Sequence, residues 1–182
     1  LTLSTAGLSN FVIDLIGGVS QLSGTGLGTG GVVKWSDFKD LSLSFTGGSN
    51  DSLTINDKAT EVDVVFASGN NSVLVNQISH DVDIVLGTGN DTVTVVDVSA
   101  NLAIDGSTGG TDTVEVDRSA AILAQDAAVT GTGLNGAIGG SNLWTSGGVA
   151  FTAIDTAQVI LGSANDTFDV NNTLTDTTVR FE

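Results

Sequence analysis

The sequence predicts an all-β protein built as a parallel β-solenoid, a stack of similar coils made of short strands and tight turns. Composition is the first reason, because the 182 residues include 24 glycines and no proline, cysteine, methionine or tyrosine, and Thr, Val, Asn and Asp are prominent. That mixture favours short strands and tight turns over helices. The other two reasons are a regular repeat and a strict alternation of apolar residues.

The repeat is clearest at the residue that follows the glycine turn in each copy. These anchor positions are Asp51, Asn71, Asp91 and Asp112, separated by 20, 20 and 21 residues, and a further copy follows at Asp166. A repeat of this length is typical of a solenoid, in which each repeat forms one coil. An immunoglobulin-type sandwich also has short strands, but it gives no reason for near-identical turns at this interval.

Apolar residues alternate on both sides of every glycine turn, which predicts two strands per coil with one face turned inward. Stacked coils would pair each strand in parallel with its equivalent in the next coil. The inward residues before the turn are Leu41, Leu43, Phe45; Val62, Val64, Phe66; Val82, Ile84, Leu86; Leu102, Ile104; and Ala157, Val159, Leu161. Those after the turn are Leu53, Ile55; Val73, Val75; Val93, Val95; Val114, Val116; and Phe168, Val170.

The pattern divides the chain into four parts. Residues 1–40 are an irregular lead-in or cap with short strands, 41–119 are regular coils, 120–150 are an insertion, and 151–182 are further coils. Within the lead-in, the glycine-rich stretch 17–31 is predicted to be a flexible surface loop.

The insertion is expected to fold over one face of the solenoid, with a short helix near its start. After it, residues 147–168 resemble residues 30–53, with Phe151 in the place of Trp35 and Ile154 in that of Phe38. This similarity indicates a larger duplication.

The charge excludes some partners and favours an extracellular setting. Five basic and 21 acidic residues give a net charge of −16, which disfavours nucleic acid and anionic membrane surfaces. No apolar run of about 18 residues predicts a membrane-spanning helix. Without cysteine there are no disulfides, so a secreted protein needs another source of stability, such as bound cations or a long repetitive core.

The stretch Leu86 to Val95, LGTGNDTVTV, is the best-formed turn, and it resembles the nonapeptide of the RTX family, the haemolysin-type calcium-binding repeats of secreted bacterial proteins. In the pattern G-G-x-G-x-D-x-U-x, Gly87 and Gly89 take the second and fourth places, Asp91 the sixth and Val93 the eighth. The resemblance implies a right-handed β-roll with Ca²⁺ held between coils by aspartate carboxylates and turn carbonyls. Only one corner of each coil carries the motif here, so the implied calcium row is one-sided.

The resemblance assigns the metal-ligand positions. They are Asp51, Asn71, Gly87, Gly89, Asp91, Gly109, Asp112 and Asp166. Physical reasoning leaves two alternatives for this row. Ionised carboxylates about 4.8 Å apart repel by roughly 3 to 4 kcal/mol at an effective dielectric of 20, which favours a cation such as Ca²⁺. Alternatively, turn side chains such as Asn50, Asn70, Asn90 and Asn165 form a hydrogen-bonded ladder that needs no metal.

Three outward positions, Val65, Val85 and Ile160, are apolar where a solvated strand would be polar. Either the insertion covers them, or they contact a neighbouring subunit. The single His80 is predicted to be a solvated surface residue, and no constellation of catalytic residues accompanies it, so the chain is not predicted to be an enzyme.

These observations predict an extracellular structural repeat module of a bacterial surface protein, such as a surface layer, an adhesin or a filament. Its folding and assembly are expected to be promoted by Ca²⁺, and its partners to be further copies or neighbouring repeats. The alternative is a glycan-binding or targeting module attached to a polysaccharide-active enzyme, with Trp35 or Trp144 stacking on a sugar. A lone tryptophan in a glycine-rich stretch is more often a cap over a core end, and this is the interpretation favoured for both.

Overall fold

The computed structural model describes residues 1–7, 9–36, 39–58, 60–171 and 176–182. These residues form two nine-stranded sheets, largely parallel, whose inward faces enclose one hydrophobic core. The fold is all-β with a repeat of about 20 residues, as the sequence predicts, and it is consistent with a β-solenoid. Within the described residues, no helix is long and apolar enough to span a membrane.

The strands run as follows. They are β1 (Thr2–Thr5), β2 (Asn10–Ile16), β3 (Val19–Gly24), β4 (Val32–Trp35), β5 (Asp40–Phe45), β6 (Ser52–Ile55), β7 (Glu61–Phe66), β8 (Ser72–Val75), β9 (Val82–Val85), β10 (Thr92–Val95), β11 (Asn101–Asp105), β12 (Thr113–Asp117), β13 (Asp126–Thr132), β14 (Asn135–Gly139), β15 (Gly148–Thr152), β16 (Thr156–Leu161), β17 (Thr167–Asn171) and β18 (Asp176–Phe181). A 3-10 turn covers Thr25–Leu27.

Regular coils place one strand in each sheet. Sheet A has the order β1-β5-β7-β9-β11-β15-β14-β13-β17, and sheet B has the order β18-β16-β12-β10-β8-β6-β2-β3-β4. All pairings are parallel except those that β3 makes in sheet B and β14 makes in sheet A. The register joins equivalent positions, for example Val62 with Val82 and Val73 with Val93.

The inward side chains form ladders of like residues, as the alternation predicts. Almost every expected inward residue is buried, and the rings of Phe45 and Phe66 stack with centroids 4.4 Å apart. The exceptions lie in the last coil, where Phe168 is partly buried and Val170 is 51% exposed. Each fully buried Val, Leu, Ile or Phe contributes about 1.5–3 kcal/mol, so the core depends on stacking neighbours above and below every coil.

The lead-in is more regular than the sequence prediction. Residues 17–31 are not a flexible loop, because Gly17 and Gly18 close a two-residue hairpin between β2 and β3, with φ of 59° and 79°. Positive φ at both turn residues is the geometry that a Gly-Gly pair supplies without strain. The hairpin adds β3 and β4 to one end of sheet B.

The insertion 120–150 is likewise part of the sheet. It contains no helix among its residues, and β13 and β14 extend sheet A beyond β15 instead of folding over a face. Because β13, β14 and β15 all lie in sheet A, the next strand, β16, enters sheet B. Ile160 is therefore in the opposite sheet from Val65 and Val85, and the three do not form one stripe. Ile160 is buried, whereas Val65 is 41% exposed.

The duplication is confirmed by the strand pairing. Trp35 pairs with Ser20, and 116 residues later Phe151 pairs with Gly136. The pairings β1/β5, β2/β6, β2/β3, β3/β4 and β5/β7 recur in order as β12/β16, β13/β17, β13/β14, β14/β15 and β16/β18. Phe38, the expected counterpart of Ile154, lies outside the described residues.

A matched pair of glycines supports the same duplication. Gly24 and Gly140 both have strongly positive φ, and a Cβ on them would lie 2.0 Å from the carbonyl oxygen of Asn10 and 1.8 Å from that of Asp126. These two contacts occupy equivalent places in the two units, since β2 begins at Asn10 and β13 at Asp126.

Candidate functional site

The anchor residues form a continuous row at one corner of the stack, here called the inner row: Asp51, Asn71, Asp91, Asp112 and Asp155. Each side chain accepts a hydrogen bond from the backbone N–H of the equivalent residue in the coil before it. The bonds run from Ser9 to Asp51 (2.7 Å), Asp51 to Asn71 (3.0 Å), Asn71 to Asp91 (2.6 Å), Asp91 to Asp112 (2.9 Å) and Asp112 to Asp155 (2.9 Å). The row therefore links successive coils through side chain to backbone hydrogen bonds.

The glycine turn brings the backbone of successive coils close enough for these bonds. Gly89 has φ of 136°, and a Cβ there would lie 2.1 Å from the carbonyl oxygen of Gly69 in the preceding coil. The Gly89 N–H donates to the carbonyl of Gly109 in the following coil at 2.8 Å. Glycine is thus required at this turn by close backbone stacking, which is a reason independent of any metal.

A second row of turn side chains, here called the outer row, runs beside the first and consists of Asn50, Asn70 and Asn90. The direction is reversed, because the N–H of the later coil donates to the side chain of the earlier one. Asn70 donates to Asn50, Asn90 to Asn70, and Thr111 to Asn90, each at 2.9 Å. The hydrogen-bonded ladder predicted as the metal-free alternative is therefore present for Asn50, Asn70 and Asn90, three of its four predicted members.

The inner row is buried from Asp51 to Asp112 and half-buried at Asp155, and burial dominates the electrostatics of the buried part. Asp51, Asp91 and Asp112 are only 1% to 3% exposed. Burial raises the pKa of Asp51 and of Asp91, although backbone hydrogen bonds oppose the change. Burial, together with the charges of Asp91 and Asp155, raises the pKa of Asp112 to about 6, against the lowering effect of the Asp91 N–H. The carboxylates are held in a place that disfavours their charge.

The predicted ligand positions do not all come together. Asp51, Asn71, Asp91 and Asp112 share the inner row, but Asp166 does not continue it. Asp166 accepts the backbone N–H of Gln125 at 2.7 Å, beside β13 and β17 in sheet A. The neighbour of Asp112 is instead Asp155, which directly precedes β16 as Asp112 directly precedes β12.

Side chains alone do not supply a full Ca²⁺ ligand set at this corner. Calcium takes six to eight oxygen ligands, usually with several carboxylates. Within the described ranges, no three His, Asp or Glu side chains are grouped so that they could hold a metal ion. Two predicted positions have a feature that favours a ligand: the Oδ2 carboxylate oxygens of Asp91 and of Asp166 are buried and have no hydrogen-bond partner among the described residues. The calcium assignment stays a prediction.

Two polar features escaped the sequence analysis. Lys58 is fully buried in the second corner, where its ammonium donates to the carbonyls of Thr60 (2.7 Å), His80 (2.7 Å) and Asp81 (2.9 Å). Burial lowers its pKa to about 8, against the raising effect of nearby acidic residues. Aligning the second corners at the repeat spacing would have revealed that Lys58 is buried, because it occupies the position of Ile78 and Val98, the buried residues of the next two coils.

The other feature is a short side-chain ladder at the ends of the strands that follow the glycine turn, directly after β6 and β8. Asn76 donates through Nδ2 to Asn56 (2.7 Å), and Asn56 donates to Asp14 (2.5 Å). This ladder, like the inner and outer rows, joins equivalent positions in successive coils.

The other residues considered in the sequence analysis, His80, Trp35 and Trp144, form no evident binding site. His80 is exposed, and its Nδ1 lies 3.1 Å from the carbonyl of Lys58 and 3.2 Å from the hydroxyl of Ser79. Trp35 and Trp144 are 4% and 9% exposed, so neither presents a ring face to a sugar. Trp144 instead packs beneath the Arg118 guanidinium, which lies 5.7 Å from its ring centroid.

Comparisons with protein-family models, curated proteins and solved structures find no match to this chain.

Proposed function

We propose that this chain is an extracellular structural repeat module of a bacterial surface protein, such as a surface layer, an adhesin or a filament. The observation that carries the proposal is the use of the turn side chains. Polar residues of the inner and outer rows bond from coil to coil and hold the stack together. Such residues serve a rigid scaffold better than they serve a reaction.

Composition supports the extracellular part of the proposal. A net charge of −16 keeps such a chain soluble, and the resemblance of Leu86 to Val95 to the RTX repeat is a likeness to secreted bacterial proteins. Stability without disulfides comes from a continuous core and from three ladders of hydrogen bonds between coils. Calcium-promoted folding remains the second part of the sequence prediction.

Electron microscopy and light scattering of the purified chain test the proposal. The two conditions are chelator and about 5 mM Ca²⁺, which exceeds the dissociation constants of about 10⁻⁴–10⁻³ M of extracellular calcium-binding modules. We expect filaments or lattices whose amount rises with protein concentration. Dispersed monomers under both conditions would overturn it.

The rival function, a glycan-binding module, depends on an exposed aromatic platform. Glycan-array binding by the unmodified chain and by Trp35→Ala and Trp144→Ala variants tests it. We expect no specific glycan binding, because both rings are buried. Specific binding that either substitution abolishes would favour the glycan-binding module over the structural one.

A further inference from the structure

The two ends of the stack are complementary in strand direction. Among the described residues, β1 and β17 lie at the two edges of sheet A, and β4 and β18 lie at the two edges of sheet B. All four strands run in the same direction as the regular coils, because β3 and β14 are the only reversed strands in their sheets. An edge of β17 can therefore continue into an edge of β1 as an ordinary parallel pair, and β18 can continue into β4.

Apolar residues at both ends are incompletely covered. At the C-terminal end, Val170 is 51% exposed and Phe181 is 56% exposed. At the other end, Leu3 and Val33 are only partly buried although they pack against the core. Unpaired strand edges that carry uncovered apolar residues favour pairing with another chain.

The chain contains a template for such a joint. Because of the duplication, β12 and β15 in the second unit correspond to β1 and β4 in the first. Within the chain, β12 pairs with β10, and β15 pairs with β11. In the second unit, the corresponding edges of β12 and β15 are already paired with strands of the preceding coil. The outer edges of β1 and β4 are their counterparts in the first unit.

We propose that a second copy of this chain docks head to tail, placing its β17 and β18 on β1 and β4 of the first copy. The proposal rests on the self-association proposed above and deepens it by naming the surfaces. Both sheets then continue across the joint, in the pairing that β10 and β11 make with β12 and β15.

The internal joint also predicts the register. Inside the chain, Val95 pairs with Val116. Val170 holds the place of Val95, four residues after the anchor, and Leu3 holds the place of Val116, since Leu3 pairs with Leu43 as Val116 pairs with Val159. Val170 of one copy should therefore lie opposite Leu3 of the next.

Cysteine cross-linking tests this register directly, because the chain has no cysteine of its own. Paired residues on adjacent strands have Cα atoms about 4.8 Å apart, within the range of about 4.4–6.8 Å that a disulfide spans. A Leu3→Cys and Val170→Cys double variant, oxidised at high concentration, should give a ladder of covalent multimers on a non-reducing gel. The control is Leu3→Cys with Val65→Cys, whose second cysteine is comparably exposed (41% for Val65, 51% for Val170) but lies on the outward face of β7, a strand paired on both sides; it should give no ladder.

Substitution by lysine provides a second measurement. Val170→Lys places a charge in the joint and should lower the light-scattering mass at least severalfold, whereas Val65→Lys makes the same change on the side of the stack and should leave it unchanged. Filaments of the unmodified chain should show an axial repeat of about 43 Å, from nine strands per sheet at about 4.8 Å each.

The outcomes separate the two proposals. Two outcomes overturn the head-to-tail joint and leave self-assembly standing. In the first, the unmodified chain associates but the Leu3→Cys/Val170→Cys variant gives no ladder. In the second, association is lost with Val65→Lys and kept with Val170→Lys. No association of the unmodified chain by light scattering or microscopy overturns both.

Discussion

Replacement of Asp112 by asparagine should stabilise the protein at neutral pH in the absence of metal. Asparagine has nearly the same shape, so its Oδ1 can still accept the Asp91 N–H that now bonds to Asp112 at 2.9 Å. The row already contains such a residue, because Asn71 accepts the Asp51 N–H and donates through Nδ2 to the carbonyl of Gly69 at 3.1 Å. The substitution keeps the ladder and removes a buried charge.

The magnitude follows from the pKa of Asp112. Its rise from 3.8 to about 6 corresponds to about 3 kcal/mol at 1.36 kcal/mol per unit, if the whole change acts on stability. Screening by solvent near the corner reduces the figure, and we expect about 1–2 kcal/mol. For a chain of this size that is a rise in Tm of about 3–6 °C.

The pH dependence has a definite sign. Since the folded-state pKa of about 6 exceeds the unfolded value of 3.8, the folded state binds more protons between these two values. The free energy of unfolding of the unmodified protein therefore falls as pH rises through this window, relative to that of Asp112→Asn. At pH 4 or below, about where unfolded Asp titrates, the two proteins should be nearly equal in stability, and the full difference should appear above pH 6.

Thermal melting followed by circular dichroism, with chelator and with millimolar Ca²⁺, measures these differences. The control is Asp83→Asn, which removes the same charge from an exposed side chain. A lower Tm for Asp112→Asn in chelator at neutral pH would refute the reasoning. A separate outcome is a Ca²⁺-dependent rise in Tm that the unmodified protein shows and Asp112→Asn lacks. That outcome would make Asp112 a metal ligand, as the resemblance to RTX repeats implies.

Two further predictions concern the turn and the second corner. Gly89→Ala should destabilise the protein by more than about 2 kcal/mol in urea unfolding, because a Cβ would lie 2.1 Å from the Gly69 carbonyl oxygen. The control Gly139→Ala, where no atom lies within 4 Å of the added Cβ, should be near neutral. Equal losses of stability in the two variants would contradict the close backbone stacking at Gly89. Lys58→Met should lower the free energy of unfolding by about 1–3 kcal/mol, because it removes the donor to three carbonyls. The control Lys34→Met, at an exposed position, should change it little. An unchanged or higher stability for Lys58→Met would mean that the corner only needs an apolar side chain.

The sequence was sufficient to predict the coil and its inward face, because period-two alternation and the repeat spacing depend on local chemistry. It was sufficient to place Asp51, Asn71, Asp91 and Asp112 in one row for the same reason. It did not reveal that these side chains bond to the backbone of a neighbouring coil, since a turn favours Asp and Asn whether they bind a cation or an N–H.

The largest difference between the sequence prediction and the structure is the sheet that each of the later strands joins. Alternation tells which face of a strand is buried but not which of the two sheets it joins. The hairpin meander of β13 to β15 stays in one sheet, so every later strand exchanges sheets, and Asp155 instead of Asp166 follows Asp112. A signal was available at the first meander, where adjacent Gly17 and Gly18 between two apolar runs indicate a two-residue hairpin. The second hairpin, closed by Gly133 and Leu134, gives a weaker signal, because only the first of its two turn residues is a glycine with positive φ.

The direction of the strands determines what kind of assembly the chain can form. A symmetric dimer would join equal ends, for example β17 to β17, and a two-fold axis perpendicular to the stack would make those strands antiparallel. The internal joint between β10, β11 and β12, β15 is parallel and joins unlike ends. A contact between unlike surfaces that does not close generates an open filament instead of a fixed oligomer. Sedimentation over a range of concentrations should therefore show a mass that grows without a plateau at the dimer, and a stable dimer would indicate a different surface.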